Sequence, residues 1–389
     1  MKIPNLLVFA TAVIAVVFAS PSAVSAATVT LTAPVDFQVH QRSSKDLGSI
    51  TIVGNLTEID ATTAVLEARI VLGAQVVEWR RLATTFMGTT FQARIPAPAG
   101  GWYRLEVRAM VDGKALTQVA VEHVGIGDIF VVAGQSNSAN HGAEKQLVTS
   151  GKVATCNGAQ WRIANDPQPG ASGGGGSFMP ALGDVLAQRF GVPIGFIACG
   201  IGASSVREWL PKGSRFPNPP TIVSRVQQLS DGAWESKGEA FVMFTARLKA
   251  HGPHGFRAVL WHQGESDANQ RDTSRTLPGK LYREYLEQLI RESRRACGWE
   301  APWFVAQVSY HVPGDESSPD IRAAQASLWT DGIAFEGPDS DALKAEWREN
   351  GGKGVHFSGP GLREHAARWA EKIAPWLEQQ ERQPAGNKP

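Results

Sequence analysis

Residues 128–138 read Asp-Ile-Phe-Val-Val-Ala-Gly-Gln-Ser-Asn-Ser (DIFVVAGQSNS), and this stretch decides the fold. The apolar run Asp128–Ala133 is typical of a buried strand, and the segment Gly134–Ser138 that follows is typical of a tight turn. A serine on such a turn is exposed, and its backbone N–H can face a developing negative charge. Serine after a strand is also a common helix N-cap, so the segment by itself leaves both interpretations open.

Strand-like and helix-like segments alternate on the C-terminal side of this stretch. The predicted strands are Ile194–Ala198, Arg257–Trp261 and Trp303–Ser309, and the predicted helices are Phe178–Phe190, Ala240–Lys249, Gly279–Ala296, Ile321–Leu328 and Gly361–Trp376. This alternation predicts an α/β domain over residues 126–378, with a parallel sheet between two layers of helices. Ligands bind beyond the carboxyl ends of the strands in such sheets. The polar tail, residues 379–389, is predicted to be disordered.

The N-terminal side has a different pattern. Residues 27–125 contain short runs of alternating apolar and polar residues, separated by turn signals such as Pro98–Gly101 and Asp112-Gly113. Short strands at this spacing predict a β-sandwich domain of the immunoglobulin or fibronectin kind. Few titratable groups converge in it, which favours a packing or spacer module over the alternative of a carbohydrate-binding module.

The first residues have the pattern of an export signal. Lys2 supplies a positive charge, Leu6–Phe18 is an apolar run, and Val24–Ala26 offers small residues before a cleavage point. The apolar run is too short to span a bilayer comfortably. Residues 1–26 are therefore predicted to be a signal peptide, and the protein is expected to be secreted or periplasmic, with no membrane contact after cleavage.

Charge and composition exclude some classes of partner. The formal net charge is +1, and removal of Lys2 makes it zero, so no electrostatic footprint for nucleic acid or an anionic membrane is present. Twelve tryptophans favour a carbohydrate ligand, although most are expected in the core. The three cysteines, Cys156, Cys199 and Cys297, allow one disulfide and one buried thiol, and their spacing does not resemble a zinc site.

Two further segments follow predicted strands. In Cys199–Trp209 (CGIGASSVREW), small residues allow the backbone to approach a ligand closely, although a tight βα turn would have the same pattern. In Trp261–Asp267 (WHQGESD), Gln263 could donate a side-chain N–H to an oxyanion, and Glu265 or Asp267 could orient a histidine. The glycine-rich stretch 166–177 lacks the ending of a phosphate loop and is expected to be a flexible loop beside the site.

A candidate base lies near the C-terminus. His356, in the segment Gly354–Ser358, precedes the last predicted helix and so lies on the loop side of the sheet, with the three segments above. A nucleophilic serine needs a base within hydrogen-bond reach, and histidine does this near neutral pH.

Together these segments resemble the SGNH-hydrolase superfamily, and within it the sialate O-acetylesterase and acetylxylan esterase group (carbohydrate esterase family six). The resemblance covers roughly residues 126–376. It rests on GQSN at 134–137, WRIANDPQP at 161–169, GIGASSVREW at 200–209, WHQGES at 261–266, IRAAQ at 321–325, GPDSD at 337–341 and GVHFS at 354–358. Each motif is weak by itself, but in this order they are specific. The resemblance implies a three-layer α/β/α, flavodoxin-like domain.

The resemblance also implies residue roles. Ser136 corresponds to the nucleophile and His356 to the general base. The implied oxyanion donors are the Ser136 and Gly202 backbone N–H groups and the Gln263 side chain. The residues expected around the substrate are Gln135, Asn137, Arg207, Trp209 and His262. No metal or cofactor is implied, and the expected partner is an acetylated carbohydrate.

One departure concerns the acid that orients the histidine. The family usually has Asp three residues before this histidine, and here that position is Lys353. Glu265 is the first choice for the acid, with Asp267 and Asp341 as alternatives, and a Ser–His dyad stays open. The predicted function is a carbohydrate O-acetylesterase that forms an acyl-serine. The alternatives are a catalytically impaired glycan-binding protein and a sugar O-acyltransferase.

Overall fold

A computed structural model of the 389-residue chain describes residues 26–382. The predicted signal peptide, except for Ala26, and residues 383–389 of the predicted tail lie outside the described residues. The strands of the N-terminal part are β1 (Thr28–Ala33), β2 (Val39–Gln41), β3 (Leu47–Thr57), β4 (Val65–Leu72), β5 (Gln75–Val76), β6 (Arg80–Arg81), β7 (Thr85–Met87), β8 (Thr90–Pro98) and β9 (Gly100–Val111).

These strands are almost all antiparallel and fall into two sheets. One has four strands in the order β1-β3-β8-β7, and the other strands join the large sheet described below. Every second residue of β8 is buried, as expected for a strand that covers a core with one face. Side chains from both sheets, including Ile52 of β3 and Leu105 of β9, form one hydrophobic cluster.

The longest strand, β10 (Lys114–Gly134), belongs to both halves of the chain. Its first part pairs antiparallel with β9, and residues 125–127 pair with β2. Its last part pairs in parallel with β13 (Ile194–Ala198) and β17 (Ala258–His262). The boundary predicted between residues 125 and 126 therefore falls inside a continuous strand.

The C-terminal part completes a 12-stranded mixed sheet in a mixed α/β fold. Its strands are β11 (Val153–Cys156), β12 (Trp161–Ile163), β18 (Trp303–Gln307) and β19 (Phe335–Asp339), and a separate three-stranded sheet holds β14 (Arg215–Phe216), β15 (Val226–Gln228) and β16 (Trp234–Ser236). The order is β12-β11-β13-β10-β17-β18-β19, and β12 pairs antiparallel at the edge. The strands that residues 126–378 contribute to this sheet pair in parallel, as predicted, except for the edge strand β12, and the N-terminal strands make the sheet as a whole mixed.

The helices are α1 (Met179–Phe190), α2 (Glu239–His251), α3 (Gly279–Cys297), α4 (Pro319–Thr330), the single turn α5 (Glu349–Gly352) and α6 (Gly359–Arg382). The five predicted helices are confirmed within a few residues, except that α6 continues to Arg382, so residues 379–382 are helical and not disordered. The extension is anchored at Glu381, which contacts Arg42 of the N-terminal part.

Alternate side chains of β10 enter two different hydrophobic clusters. Ile129, Val131 and Ala133 pack with residues of α2, α3 and α4, whereas Phe130 and Val132 pack with residues of α1 and α6. Both faces of the sheet are therefore covered by helices, which leaves the loops at the strand ends to form a site.

The cysteines, the groups that could hold a metal ion and the length of the helices can be checked over residues 26–382. Cys156, Cys199 and Cys297 are all buried and free, so the disulfide that the sequence allowed is not formed. In this range no group of three or more histidine, cysteine or acidic side chains is arranged to hold a metal ion. None of the helices described here has the length and apolar character needed to cross a bilayer.

A buried ion cluster lies where β10 enters the α/β part. Asp128 is fully buried and accepts hydrogen bonds from Arg42 at 2.6 Å and from Arg257 at 2.6 Å. Arg42 also contacts Glu381 of α6. The cluster therefore joins the N-terminal strands, the central sheet and the last helix.

We expect Asp128→Asn to lower the free energy of unfolding by about 3–5 kcal/mol, because it removes the buried carboxylate that pairs with both Arg42 and Arg257. Burial alone would raise the pKa of Asp128, but Arg257 and Arg42 lower it to about 2. The unfolded value is about 3.9, so this contribution is complete above roughly pH 4 and is lost as the pH falls toward 2. Urea unfolding of the two proteins at pH 7 and pH 3 measures the difference.

The matched control is Asp231→Asn, which removes the exposed Arg215–Asp231 pair at 3.2 Å. It should cost no more than about 1 kcal/mol. Equal losses in the two variants would contradict a stabilising role for the buried cluster.

Candidate active site

A cavity of about 650 Å³ lies at the carboxyl ends of β10, β13 and β17. Of the residues predicted to form the site, it is lined by Gln135, Ser136, Gly202, Glu265 and His356. The sheet has thus brought together segments from four distant parts of the chain, as the strand-end argument predicted.

The turn after β10 presents Ser136 to this cavity. Gly134 has φ of 128°, and a Cβ atom there would lie 2.1 Å from the His262 carbonyl oxygen, so only glycine fits. The Gln135 N–H donates to the same carbonyl at 2.9 Å. Residues Ser136–Ser138 then form one 3-10 turn, which confirms the predicted tight turn. Within residues 26–382 the Ser136 N–H donates to no backbone carbonyl, which leaves it available for a ligand.

His356 has a carboxylate partner that sequence reasoning missed. Its Nδ1 lies 2.8 Å from Glu349 Oε1, and its backbone N–H donates to the same oxygen at 3.2 Å. Both side chains are partly buried, with 23% and 20% exposed. A carboxylate on Nδ1 fixes the ring and its tautomer, and it leaves Nε2 for proton transfer.

The backbone brings Glu349 to His356 by doubling back. The Glu349 N–H donates to the His356 carbonyl at 2.9 Å, and Arg348 and Phe357 form an antiparallel bridge. Asn350 and Gly351 between them have left-handed φ values of 54° and 64°. The acid was missed because it precedes the histidine by seven residues and not three. The turn-forming sequence Glu-Asn-Gly-Gly-Lys-Gly was the available signal.

Glu265 therefore does not have the role that was predicted first. Its Oε1 accepts a hydrogen bond from Asn137 Nδ2 at 3.0 Å, and the same Nδ2 donates to the Val355 carbonyl at 3.2 Å. Burial raises the pKa of Glu265 to about 7. Glu265 and Asn137 thus connect the turn that carries Ser136 to the residue before His356, and through these bonds they contact neither the Ser136 nor the His356 side chain.

The Gln263 side chain is not available as the predicted oxyanion donor. Its Nε2 donates to Asp267 Oδ2 at 2.7 Å and to the Ser204 carbonyl at 3.1 Å, and the residue is fully buried. Asp267 in turn accepts from the Ser205 hydroxyl at 2.6 Å and pairs with Arg207 at 3.1 Å. These contacts hold the loops together beneath the cavity.

Three predicted substrate contacts are wrong because the side chains are interior. Arg207 and Trp209 are fully buried, and His262 is 1% exposed. Asp341, an alternative acid, is occupied elsewhere, since it accepts from the Ser309 hydroxyl at 2.6 Å and pairs with Arg322 at 3.0 Å. Several polar residues of the strand-end motifs therefore stabilise the protein interior and do not line the cavity.

His141 and Ser172 line the cavity and were not predicted. The Gly202 N–H donates to Ser172 Oγ at 2.6 Å, and His141 Nε2 lies 3.1 Å from the same hydroxyl. The rings of His141 and His356 are 5.4 Å apart. Burial lowers the pKa of His141, as does His356, whereas Glu349 opposes them. The one signal for Ser172 in the sequence was its place in the stretch 166–177, which was expected to be a loop beside the site.

The comparisons with known proteins agree with this architecture. A carbohydrate acetylesterase from Xanthomonas citri has a similar structure, with a TM-score of 0.52 and 19% identity over 88% of this chain and 73% of that chain. At this identity the likeness concerns the fold. A family-two carbohydrate esterase from Clostridium thermocellum, solved with cellohexaose, gives a TM-score of 0.35 at 13% identity over 86% of this chain and 90% of that chain, too low to support an argument. No curated protein matches the chain.

The family model described as "Carbohydrate esterase, sialic acid-specific acetylesterase" matches residues 126–374. This range holds the whole cavity, so the protein is by class a carbohydrate esterase, an enzyme that hydrolyses carboxylic esters. More narrowly, the chain belongs to the sialic acid-specific acetylesterase family, as the motifs from GQSN to GVHFS indicated.

Proposed function

We propose that this protein is a secreted carbohydrate O-acetylesterase that uses Ser136 as nucleophile, His356 as general base and Glu349 as the acid that orients the base. The observation that carries the proposal is the 2.8 Å contact between Glu349 Oε1 and His356 Nδ1 in the wall of the cavity that also holds Ser136. A nucleophile, a base and a carboxylate behind the base are the parts that serine hydrolysis of an ester needs.

In the proposed reaction, Ser136 Oγ attacks the acetyl carbonyl carbon while His356 Nε2 takes the hydroxyl proton. The Ser136 N–H stabilises the oxyanion of the tetrahedral intermediate. The carbon–oxygen bond to the sugar then breaks, and His356 returns the proton to the departing sugar oxygen. Water, deprotonated by the same imidazole, then attacks the acetyl-serine. The bond between Ser136 Oγ and the acetyl carbon breaks, the imidazolium returns its proton to Oγ, and acetate leaves.

The substrate is proposed to be an O-acetylated sugar, either a sialic acid or a xylan-type polysaccharide. The family description and the Xanthomonas citri relative, a carbohydrate acetylesterase, support this class. Residues 27–125 are proposed to be an accessory β-sandwich, supported by the cluster that its two sheets share. Secretion is proposed from the signal pattern of residues 1–26.

Glu349 weakens the argument for a catalytically impaired glycan-binding protein. That alternative rested on Lys353, which stands where the family usually has aspartate. The Glu349–His356 contact supports an active enzyme, because it supplies a carboxylate for the base from another position. An acyltransferase would use the same acyl-serine and differs only in the acceptor.

The test is acetate release from 4-nitrophenyl acetate, acetylated xylan and O-acetylated sialic acid. We expect free acetate from the aryl ester and from at least one of the sugars. Absence of acetate release from all three substrates would contradict the proposal. Acetyl transfer to added glycan without free acetate would identify an acyltransferase.

A further inference from the structure

The oxyanion site differs from the one that the resemblance implied. Two of the three implied donors are already bonded inside the protein, the Gly202 N–H to Ser172 Oγ at 2.6 Å and Gln263 Nε2 to Asp267 at 2.7 Å. The Ser136 N–H is left from the original set. One donor alone would give up a large part of the stabilisation that such sites supply.

The Ser172 hydroxyl lies against the Gly202 N–H, and its backbone is held on both sides. The Ser172 N–H donates to the Gly200 carbonyl at 2.9 Å, and the Asn140 N–H donates to the Ser172 carbonyl at 2.9 Å. These partners belong to the loop after β13 and to the segment that follows Ser136. The position of Ser172 is therefore set by the same two segments that form the site, which is the preorganisation an oxyanion donor needs.

The hydrogen bonds at Ser172 Oγ determine where its proton can point. A hydroxyl has one donor and two acceptor sites. The Gly202 N–H occupies one acceptor site, and His141 Nε2 at 3.1 Å can occupy the other when it carries the ring proton. Burial lowers the pKa of His141 and so favours the neutral ring, whose single proton can reside on Nε2. The Ser172 O–H is then left to donate to a third group in the cavity.

We propose that the Ser172 hydroxyl donates to the oxyanion, taking the place in which the resemblance puts the Gly202 N–H, and that Gly202 and His141 orient it. This inference rests on the proposed esterase function. The Gly202 N–H polarises the hydroxyl, so the backbone dipole acts on the oxyanion through one intervening oxygen.

The decisive variant is Ser172→Ala, because the two arrangements predict opposite changes. If Ser172 is the donor, kcat falls by about 100-fold with KM little changed, since the bond is made mainly in the transition state. If the Gly202 N–H is itself the donor, removal of Ser172 Oγ frees it, and kcat stays constant or rises. The second result overturns the inference.

Two companion variants separate this loss from misfolding. Ser172→Thr keeps a hydroxyl and should retain kcat within about tenfold, whereas Ser172→Cys keeps the shape with a weak donor and should lose most of it. Thermal unfolding midpoints like that of the wild type show that the loop is intact. Equal kcat for the threonine and alanine variants would also overturn the inference.

The wild type in the same assay keeps the two proposals distinguishable. If the wild type releases acetate and Ser172→Ala is equally active, only the oxyanion inference fails. If the wild type is inactive on every ester, the proposed function fails first.

Discussion

Ser136→Ala should abolish acetate release, and we expect kcat to fall by at least about 10⁴-fold. The side chain supplies the oxygen that forms the acyl-enzyme, so the reaction cannot pass through an acyl-enzyme after its loss. Serine hydrolases without the nucleophile keep a residual rate above water from oxyanion donors and substrate binding. The measurement is the initial rate on 4-nitrophenyl acetate, together with covalent labelling of the wild type by a fluorophosphonate, which should be lost in the variant.

The matched control is Ser138→Ala in the same 3-10 turn. Ser138 Oγ donates to the Gln135 carbonyl at 2.7 Å and does not line the cavity, so its loss should change turnover far less. Wild-type turnover in the Ser136 variant would mean that the nucleophile is misassigned. Collapse of both variants together with a lowered thermal midpoint would point instead to a disrupted turn.

Glu349→Gln has the second largest expected effect, a fall in kcat of up to about 10⁴-fold. Replacement of the orienting carboxylate by an amide favours the wrong tautomer in a serine protease and costs about this factor. In this chain the amide could donate to His356 Nδ1, which would place the ring proton on Nε2 where it blocks proton transfer from Ser136. Glu349→Asp, which keeps the charge with a shorter reach, should recover part of the activity.

Glu265→Gln is the control that decides between the two carboxylates. Glutamine keeps an oxygen acceptor for Asn137, so the loss should stay within about tenfold. The opposite ranking, with an inactive Glu265 variant and an active Glu349 variant, would restore the first sequence prediction.

Gly354→Ala tests the position of the Glu349 carboxylate independently, because the new Cβ would lie 2.2 Å from Glu349 Cγ and must displace that side chain.

Gly174→Ala serves as the neutral glycine control, since its Cβ would meet no atom within 4 Å. It should leave turnover near the wild-type value, whereas Gly354→Ala should approach the Glu349→Gln rate. A fully active Gly354→Ala variant would indicate that the carboxylate position matters less than the hydrogen bond suggests.

The fold could be read from the sequence wherever periodicity was strong. The buried runs Ile194–Ala198 and Trp303–Gln307 and the amphipathic helix Gly279–Cys297 were predicted within two residues. The edge strand Phe335–Asp339 was not, because it is short, contains glycine and proline, and is partly exposed. The continuity of β10 is also not predicted, since the change of pattern near residue 126 favours a boundary between domains.

The site was harder to predict because a motif gives residue types and not their orientation. Trp209, Arg207 and Gln263 stand in the correct segments, yet their side chains turn into the interior. The contact of Glu349 with His356 depends on a backbone reversal through two left-handed residues, Asn350 and Gly351, and a motif with fixed spacing cannot detect such a reversal. Ser172 came from a loop distant in sequence, and only tertiary hydrogen bonds place it beside Gly202.

The shared strand β10 has a consequence for how this gene can change. Modules joined by a linker can be exchanged, because a break in the linker harms neither part. Here a break at residue 125 would cut a strand of 21 residues between its pairing with β9 and its pairings with β13 and β17, and it would run through the pairing with β2 at residues 125–127. It would also part Asp128 from Arg42, so we expect exchange of the N-terminal strands by recombination at that point to lower the stability of the product.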